Sequence, residues 1–287
     1  EVRGDLFVID DFADIESATE FRFAPLAGVE ARFPLIYESS GSVVHVLEPI
    51  AQVIVAPYGG NASGIPNEDS QVTEFDETNL FDTSHFTGLD AFEEGPRLNL
   101  GLRYERISPG GLNLDASIGR VLRPRGAGEF SSGSGLADAA SDWVGTWSAS
   151  YDPYVTVRQR MRIGDGFQIT RNEIGAELAF GRVAVSASYI FLERDPSIGA
   201  PDDREELTGS ARFRINRNWS VSGNAQRDIE RGAFVEVGTG LTYANECCQI
   251  DFFLKRDFRE SDGAPDSTSF GVLIKLFTLG NQDNTTP

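Results

Sequence analysis

The chain has 287 residues and a formal net charge of −19, from 44 acidic and 25 basic side chains. This balance argues against a nucleic-acid binder, and no apolar run is long enough for a transmembrane helix. The chain contains 30 glycines and one methionine, and aromatic residues make up 10% of it. Glycine, aromatic and β-branched residues in short alternating runs favour an all-β fold.

The N-terminal part of the chain predicts strands joined by polar connections. The sequence starts in mid-pattern and without Met, as expected of the later part of a longer protein. Alternation over residues 29–37 predicts a strand, residues 39–42 a turn, and residues 43–57 the next strand. Pro49 interrupts that strand, which favours an edge, a bulge or a strand end.

Residues 58–92 form the one long stretch without alternation. A connection of this length in a compact fold is usually functional or folded on itself. Its acidic segment, residues 67–77, offers the hard oxygen ligands that divalent cations prefer, but the spacing matches no EF-hand. A solvated surface loop is the favoured interpretation of that segment.

Strand patterns of period two then repeat to the end of the chain, before a polar tail at residues 280–287. The connections alternate between short ones, such as residues 216–218 and 244–246, and long ones, such as residues 195–205 and 259–267. In the hairpin 231–258, Phe234 is expected on the polar face with Glu236. The polar faces carry charge in mid-strand, and the candidates for an inward, lumen-facing position are Arg171, Glu173, Glu177, Arg212, Arg214, Glu236 and Lys255.

This alternation fits either a soluble β-sandwich or an antiparallel transmembrane β-barrel with an apolar face to lipid and a polar lumen. Strands of about 10–13 residues favour the barrel, because ordinary strands average about 5–6 residues. We count about thirteen strands, close to 12–14. Because single-chain barrels close on an even number, this count suits a complete barrel of 12 or 14 strands or half of a larger one.

Cys247 and Cys248 are the two cysteines of the chain and are adjacent in a late hairpin. Neighbouring strand residues point to opposite faces, so the two would need separate disulfide partners, or would stay free thiols. Two cysteines without a nearby histidine do not predict a metal site. His45 and His85 lack a recognisable nucleophile motif, so neither an enzyme nor a cofactor is predicted. Trp143, Trp147 and Trp219 fit an interfacial aromatic girdle or ordinary wall packing.

Several stretches, in order, resemble the C-terminal barrel region of the lipopolysaccharide-assembly outer-membrane protein family LptD. The sharpest is Tyr243 to Cys248, with its adjacent cysteines in a late hairpin, and the resemblance covers essentially the whole chain. The other matching stretches are Leu47-Glu48-Pro49 with Ala56-Pro57, Pro66 to Ser70, Asn79-Leu80-Phe81, Phe86 to Asp90, Gly101 to Tyr104, and Phe270 to Lys275 with Leu279-Gly280.

The resemblance implies that residues 1–287 form the C-terminal part of a barrel of about 26 strands in the cell outer membrane. It implies an LptE-like plug lipoprotein in the lumen, and a periplasmic lipopolysaccharide-transport bridge reached through an N-terminal domain outside this chain. Lipopolysaccharide would pass into outer-membrane lipid through a lateral seam, without bond chemistry. Cys247 and Cys248 would pair with cysteines near the N-terminus of the longer protein. The last strand would form one wall of the seam, through Ser269, Phe270, Gly271, Val272, Leu273, Ile274 and Lys275.

Two other functions remain open from the sequence. A self-contained small porin or uptake channel would form a closed, even-stranded barrel with ion conductance. A soluble β-sandwich binding module would stay in solution without detergent. An outer-membrane lipase is disfavoured because the chain lacks a nucleophile set.

Overall fold

The structure is a computed structural model that describes residues 2–9, 18–61, 65, 67–259 and 266–277. Pro66, Leu279-Gly280 and the polar tail 280–287 lie outside the described residues. The described chain contains sixteen β-strands and two 3-10 helices, Ser132–Ser134 and Pro196–Ile198. No helix in this part of the chain has the length and hydropathy needed to cross a membrane. The strands are β1 (Val2–Ile9), β2 (Ala18–Pro25), β3 (Ala27–Arg32), β4 (Leu35–Ser39), β5 (Val43–Val55), β6 (Arg97–Ile107), β7 (Leu112–Leu122), β8 (Trp143–Tyr151), β9 (Val155–Ile163), β10 (Ile169–Phe180), β11 (Val183–Leu192), β12 (Arg204–Arg214), β13 (Trp219–Asp228), β14 (Ala233–Ala244), β15 (Cys248–Asp257) and β16 (Ser267–Leu276).

Fourteen of these strands form one sheet, and β1 and β2 pair separately as an antiparallel hairpin. The sheet runs β16-β15-β14-β13-β12-β11-β10-β9-β8-β7-β6-β5-β3, and β4 also pairs with β5. The strands from β5 onward have between 9 and 13 residues, and a membrane-spanning strand needs about 9–11. The predictions of an all-β antiparallel fold and of long strands are therefore confirmed.

β3 and β4 are two parts of one interrupted line along the same edge of β5. β3 lies opposite Ile50–Val55, and β4 lies opposite Val43–Leu47. Between them the Phe33 N–H donates to the Pro49 carbonyl at 3.2 Å. Pro49 thus lies inside β5, opposite the interruption, where its missing N–H leaves no pairing position unfilled. Taken as one line, β3 and β4 bring the sheet to the thirteen strands counted from the sequence.

The register of the last five strands gives the sheet one polar and one apolar face. On the polar face, Arg212 lies opposite Ser222 and Thr242 opposite Asp251. On the other face, Phe213 lies opposite Val221 and Leu241 opposite Phe252. Successive side chains of a strand point to opposite faces, so this pairing follows directly from the alternation in the sequence.

One side chain departs from the predicted alternation. The register between β13 and β14 shifts at Gln226/Arg227, so that Gln226 lies opposite Glu236 and Arg227 lies opposite Phe234. A β-bulge adds one residue to one strand and reverses the faces beyond it. Phe234 is therefore on the apolar face, where the Arg227 guanidinium lies 5.6 Å from its ring centroid. The prediction that Phe234 shares the polar face with Glu236 is wrong for this reason.

The chain divides into two compact units. The first comprises Glu1–Ala149, Arg158–Glu173 and Phe191–Asp203, and the second comprises Ser150–Val157, Ile174–Ile190 and Arg204–Pro287. The buried apolar core of the first unit joins the long connections to the sheet, through residues such as Phe75, Phe130 and Val144. In the second unit, no described apolar residue is fully buried, and large apolar side chains stay exposed. A wall with one exposed apolar face is what contact with lipid requires.

Candidate functional site

Each unit contributes its own candidate features. In the first unit, these are the polar side chains of the sheet and the long connection that folds onto them. In the second unit, they are the charged side chains of the sheet and the last strand. Two of the predicted inward charges, Arg171 and Glu173, lie on β10 in the first unit and pair with each other at 2.6 Å. Arg171 also lies 3.9 Å from Glu74 of the long connection between β5 and β6. The sheet and the acidic connection are thus in direct contact.

A second arginine binds this connection to the sheet more closely than Arg171 does. On β9, the Arg160 guanidinium donates to Asp76 at 2.9 Å and to Glu77 at 2.7 Å. Both carboxylates are largely shielded from solvent. Charge-assisted bonds in a shielded setting are stronger than neutral ones, so the end of the acidic segment is held on the polar face at Asp76 and Glu77. Most of residues 67–74 stay exposed, as expected of a solvated loop.

Two glycines of the sheet make room for apolar side chains of the same connection. A Cβ on Gly101 would lie 2.7 Å from the Phe81 ring, and one on Gly119 would lie 2.3 Å from a methyl of Leu80. The Gln52 side chain donates to the Phe81 carbonyl at 2.8 Å. The connection therefore packs directly against the strands at glycine positions, where no side chain stands in the way.

A buried charge cluster fixes the far end of the connection. Glu93 accepts hydrogen bonds from the His85 N–H at 3.0 Å and from His85 Nδ1 at 2.7 Å. Arg123, which follows β7, donates to its other oxygen, and Arg97 Nε of β6 lies 3.4 Å from it. Burial opposes ionisation of Glu93, but His85, Arg97 and Arg123 outweigh it and hold the pKa of Glu93 below its ordinary range.

Two aspartates join two distant segments of this connection by hydrogen bonds to backbone N–H groups. Asp69 accepts the backbone N–H groups of Leu89 and Asp90 at 2.8 and 2.9 Å. Asp90 in return accepts the N–H groups of Glu68 and Asp69 at 2.8 and 3.1 Å. The bonds from Leu89 and Asp90 lower the pKa of Asp69 to about 2. In the part of the chain that the structure describes, no three metal-ligating side chains come together. The Asp69 and Asp90 carboxylates cap backbone N–H groups of each other's segment.

The remaining predicted inward charges lie in the second unit. Glu177 and Arg212 line one groove of about 550 Å³, together with Ser222 and Asn224. Glu236 and Lys255 form an ion pair at 2.7 Å on neighbouring strands. Arg214 lies one step further along β12, opposite Ser220. The structure thus brings Glu177 near Arg212 and Glu236 near Lys255, in two separate places on this polar face.

The adjacent cysteines lie at the short turn between β14 and β15. Cys247 is exposed and Cys248, the first residue of β15, is half-buried. Asn245 Oδ1 accepts both of their backbone N–H groups, at 2.9 and 2.8 Å. Within the described residues both thiols are free. They belong to an ordered turn at a strand end.

β16, which contains every residue predicted for the seam, stands at one end of the sheet order. It pairs with β15 from Ser267 opposite Asp257 to Leu276 opposite Cys248. Phe270 is 85% exposed and Ile274 59% exposed. An end strand with large exposed apolar side chains is suited to lipid on its apolar face.

Aromatic side chains mark the ends of strands that meet at short turns. Trp219 and Tyr243 lie with ring centroids 5.0 Å apart beside the turns that flank β13 and β14. His45 lies between Tyr37 and Tyr104, with Nδ1 2.9 Å from the Tyr104 hydroxyl and Nε2 3.3 Å from Ser39 Oγ. This position fits an interfacial girdle. Trp147 is in mid-strand instead, and its Nε1 donates to Gln159 at 2.7 Å.

The arginine contacts to the long connection are functional features that sequence reasoning missed. A signal was present, because residues 67–94 contain nine acidic side chains and no lysine or arginine. A segment with that charge cannot lie on a polar wall without cations from the wall, and Arg97 and Arg160 lie on strands β6 and β9. Charge complementarity between the connection and the strands would have predicted that the two lie together, although not which residues pair.

A long antiparallel sheet with one lipid-suited face and one polar face is typical of the wall of an outer-membrane β-barrel protein. The chain belongs to the LptD family, described as LPS transport system D, whose family model matches residues 1–219. This membership places the chain in the outer membrane.

Curated relatives match nearly all of the chain. The LPS-assembly protein LptD of Psychrobacter cryohalolentis is 26% identical over 300 residues, covering 96% of this chain and 29% of the relative. Its counterpart in Nitrosococcus oceani is also 26% identical, covering 98% of this chain and 38% of the relative. The chain therefore spans about a third of the length of these relatives. Among solved structures, a double mutant of the Rhodopseudomonas blastica porin aligns with 12% identity and a TM-score of 0.38, covering 96% of this chain and 89% of the porin.

Proposed function

We propose that the chain is the C-terminal part of an outer-membrane translocon that assembles lipopolysaccharide in the outer leaflet. The observation that carries the proposal is the family match over residues 1–219, together with relatives named for LPS assembly that align with 96% and 98% of the chain. The two-faced sheet supports it further, because such a wall separates a wet lumen from lipid.

In this proposal the two faces handle different parts of the lipid. The polar face accommodates the hydrated sugar chain, and the acyl chains move sideways into the bilayer. Passage between the two requires a gap in the wall. An unpaired strand edge is costly in hydrocarbon because its N–H and C=O groups lack partners, so the gap opens only transiently.

We assign the gap to the free edge of β16, from Ser269 to Lys275. The support is its place at the end of the sheet order and the exposure of its apolar side chains. A plug lipoprotein of the LptE type would contact the polar face of the second unit, near Arg212 and Glu236. Cys247 and Cys248 would form disulfides with cysteines outside this chain, on the side of the wall where the short turns lie.

A cysteine lock tests the assignment in the full-length protein. Ser269→Cys on β16 is combined with cysteines scanned along the first barrel strand, and surface lipopolysaccharide is measured before and after oxidation. Opposed residues of neighbouring strands are about 4.5–5.5 Å apart, within reach of a disulfide. Oxidation of the matching pair should stop delivery, and reduction should restore it.

The control is a lock between two strands away from the gap. Val237 and Arg256 lie directly opposite each other on β14 and β15, so Val237→Cys with Arg256→Cys should crosslink without affecting delivery. Normal surface lipopolysaccharide in a fully crosslinked β16 variant would overturn the assignment of the gap.

A further inference from the structure

Phe253 is an aromatic residue on an otherwise polar face. The other residues of β15 on that face are Gln249, Asp251, Lys255 and Asp257. Phe253 lies directly opposite Gly240 in β14 and directly opposite Gly271 in β16. The ring is thus flanked on both neighbouring strands by residues without a side chain.

The ring covers the backbone of the last strand at Gly271. A Cβ built on Gly271 would lie 2.4 Å from Cζ and 2.7 Å from Cε1 of Phe253, closer than any real contact. Gly271 is also the one residue of β16 that is half-buried, while all its neighbours in the strand are exposed. Glycine in a strand interior weakens the strand unless an aromatic ring covers it. The ring and the glycine therefore form one packing unit across the two strands.

The packing of Phe253 on Gly271 favours pairing of β15 with β16, whereas the lipid-facing side chains do not. On the apolar face, side chains of β16 find lipid tails as favourable as protein neighbours, so they contribute little preference for staying beside β15. On the polar face, Phe253 is 46% exposed with β16 in place, and separation of β16 would expose the covered part of the ring and the glycine backbone to water. The contact between Phe253 and Gly271 therefore favours the paired state specifically.

We propose that Phe253 is a positioning residue that holds the middle of β16 on β15. Strand separation for lipid passage then occurs at the free edge of β16 and not between β15 and β16. This inference rests on the proposed function, because it needs β16 to form one wall of the gap. Phe253 acts through Gly271 and makes no contact with the lipid in this role.

The first test measures strand pairing without reference to transport. In the full-length protein in detergent, hydrogen exchange of β16 amides is compared between wild type, Phe253→Ala and Phe252→Ala. Phe252 is the matched control, because it is the neighbouring ring on the apolar face, opposite Leu241 and Val272. Loss of a cross-strand aromatic contact should speed exchange around Gly271 about three- to tenfold in Phe253→Ala, and less in Phe252→Ala.

Two further variants separate packing from misfolding. Phe253→Tyr keeps the ring and should exchange like wild type. Phe253→Gly combined with Gly271→Phe places the ring on the other strand and should recover most of the protection. Equal exchange in wild type and Phe253→Ala, with the protein folded, would overturn the proposal.

The second test concerns transport. Phe253→Ala should lower surface lipopolysaccharide, and a disulfide between Arg256→Cys and Thr268→Cys, directly opposed on β15 and β16, should restore it by replacing the lost contact. A transport defect that this disulfide does not repair would count against the positioning role. If instead the lock across the free edge of β16 leaves transport intact, the proposed assignment of the gap fails even where the exchange result holds, so the two failures are distinguishable.

Discussion

Replacing Glu93 by glutamine should release the long connection from the polar face. Its carboxylate is 1% exposed and is the common partner of His85, Arg97 and Arg123. Glutamine keeps the shape but removes the charge, leaving buried cations without a counter-charge. Breaking a buried pair in this way costs about 3–5 kcal/mol. Local opening should therefore become about 10²- to 4 × 10³-fold more frequent, since each 1.4 kcal/mol is a factor of about ten.

Hydrogen exchange of amides in residues 67–96 measures this opening in the full-length protein. Glu74→Gln is the control, because it makes the same chemical change in the same connection at a side chain that is 69% exposed. An exposed pair contributes about 0–1 kcal/mol, so exchange in the control should hardly change. Equal exchange in the two variants would refute the claim that the Glu93 cluster holds the connection.

Two further predictions concern the same connection. Gly88→Ala should also loosen the connection, because the new Cβ would lie 2.1 Å from the Asp69 carboxyl carbon and displace the carboxylate from its N–H donors. Faster protease cleavage within residues 67–96 would report the loosening, and an unchanged cleavage rate would contradict the prediction. In wild type, the pKa of Glu93 is held below its ordinary range, so its stabilisation is complete above an ordinary carboxyl pKa of about 4.3 and is lost only as the pH falls through the lower folded value. Exchange corrected for intrinsic rate should show this acid-side loss in wild type and not in Glu93→Gln.

The strands could be predicted because their pattern is local. A strand in a two-faced wall needs one apolar and one polar side, so polar and apolar residues alternate along its sequence, as Arg212 and Phe213 do. Where the pattern failed, the cause was a change of register. Phe234 lies on the other face because of the bulge opposite Gln226 and Arg227. The position of a single bulge residue cannot be identified from the composition of the strand.

The inward fold of the long connection could not be predicted from alternation. Its contacts join residues far apart in sequence, such as Arg160 with Asp76 and Gly119 with Leu80. Non-local pairing of this kind depends on which side of the sheet the connection takes. The sequence identified the connection as unusual by its length and acidity, but the partners of its carboxylates appear only when the strands are placed.

The arrangement of charge bears on how an acidic chain could form a conduit for an anionic lipid. With a net charge of −19, bare carboxylates along the polar face would repel a phosphorylated sugar chain. In the first unit, the single positive charge of Arg160 offsets half of the charge of Asp76 and Glu77, and Glu93 is neutralised by its buried cationic neighbours. In the second unit, Lys255 neutralises Glu236. Because these carboxylates are paired within the wall, the polar face can be well hydrated without presenting the full negative charge of the chain to the substrate that we propose.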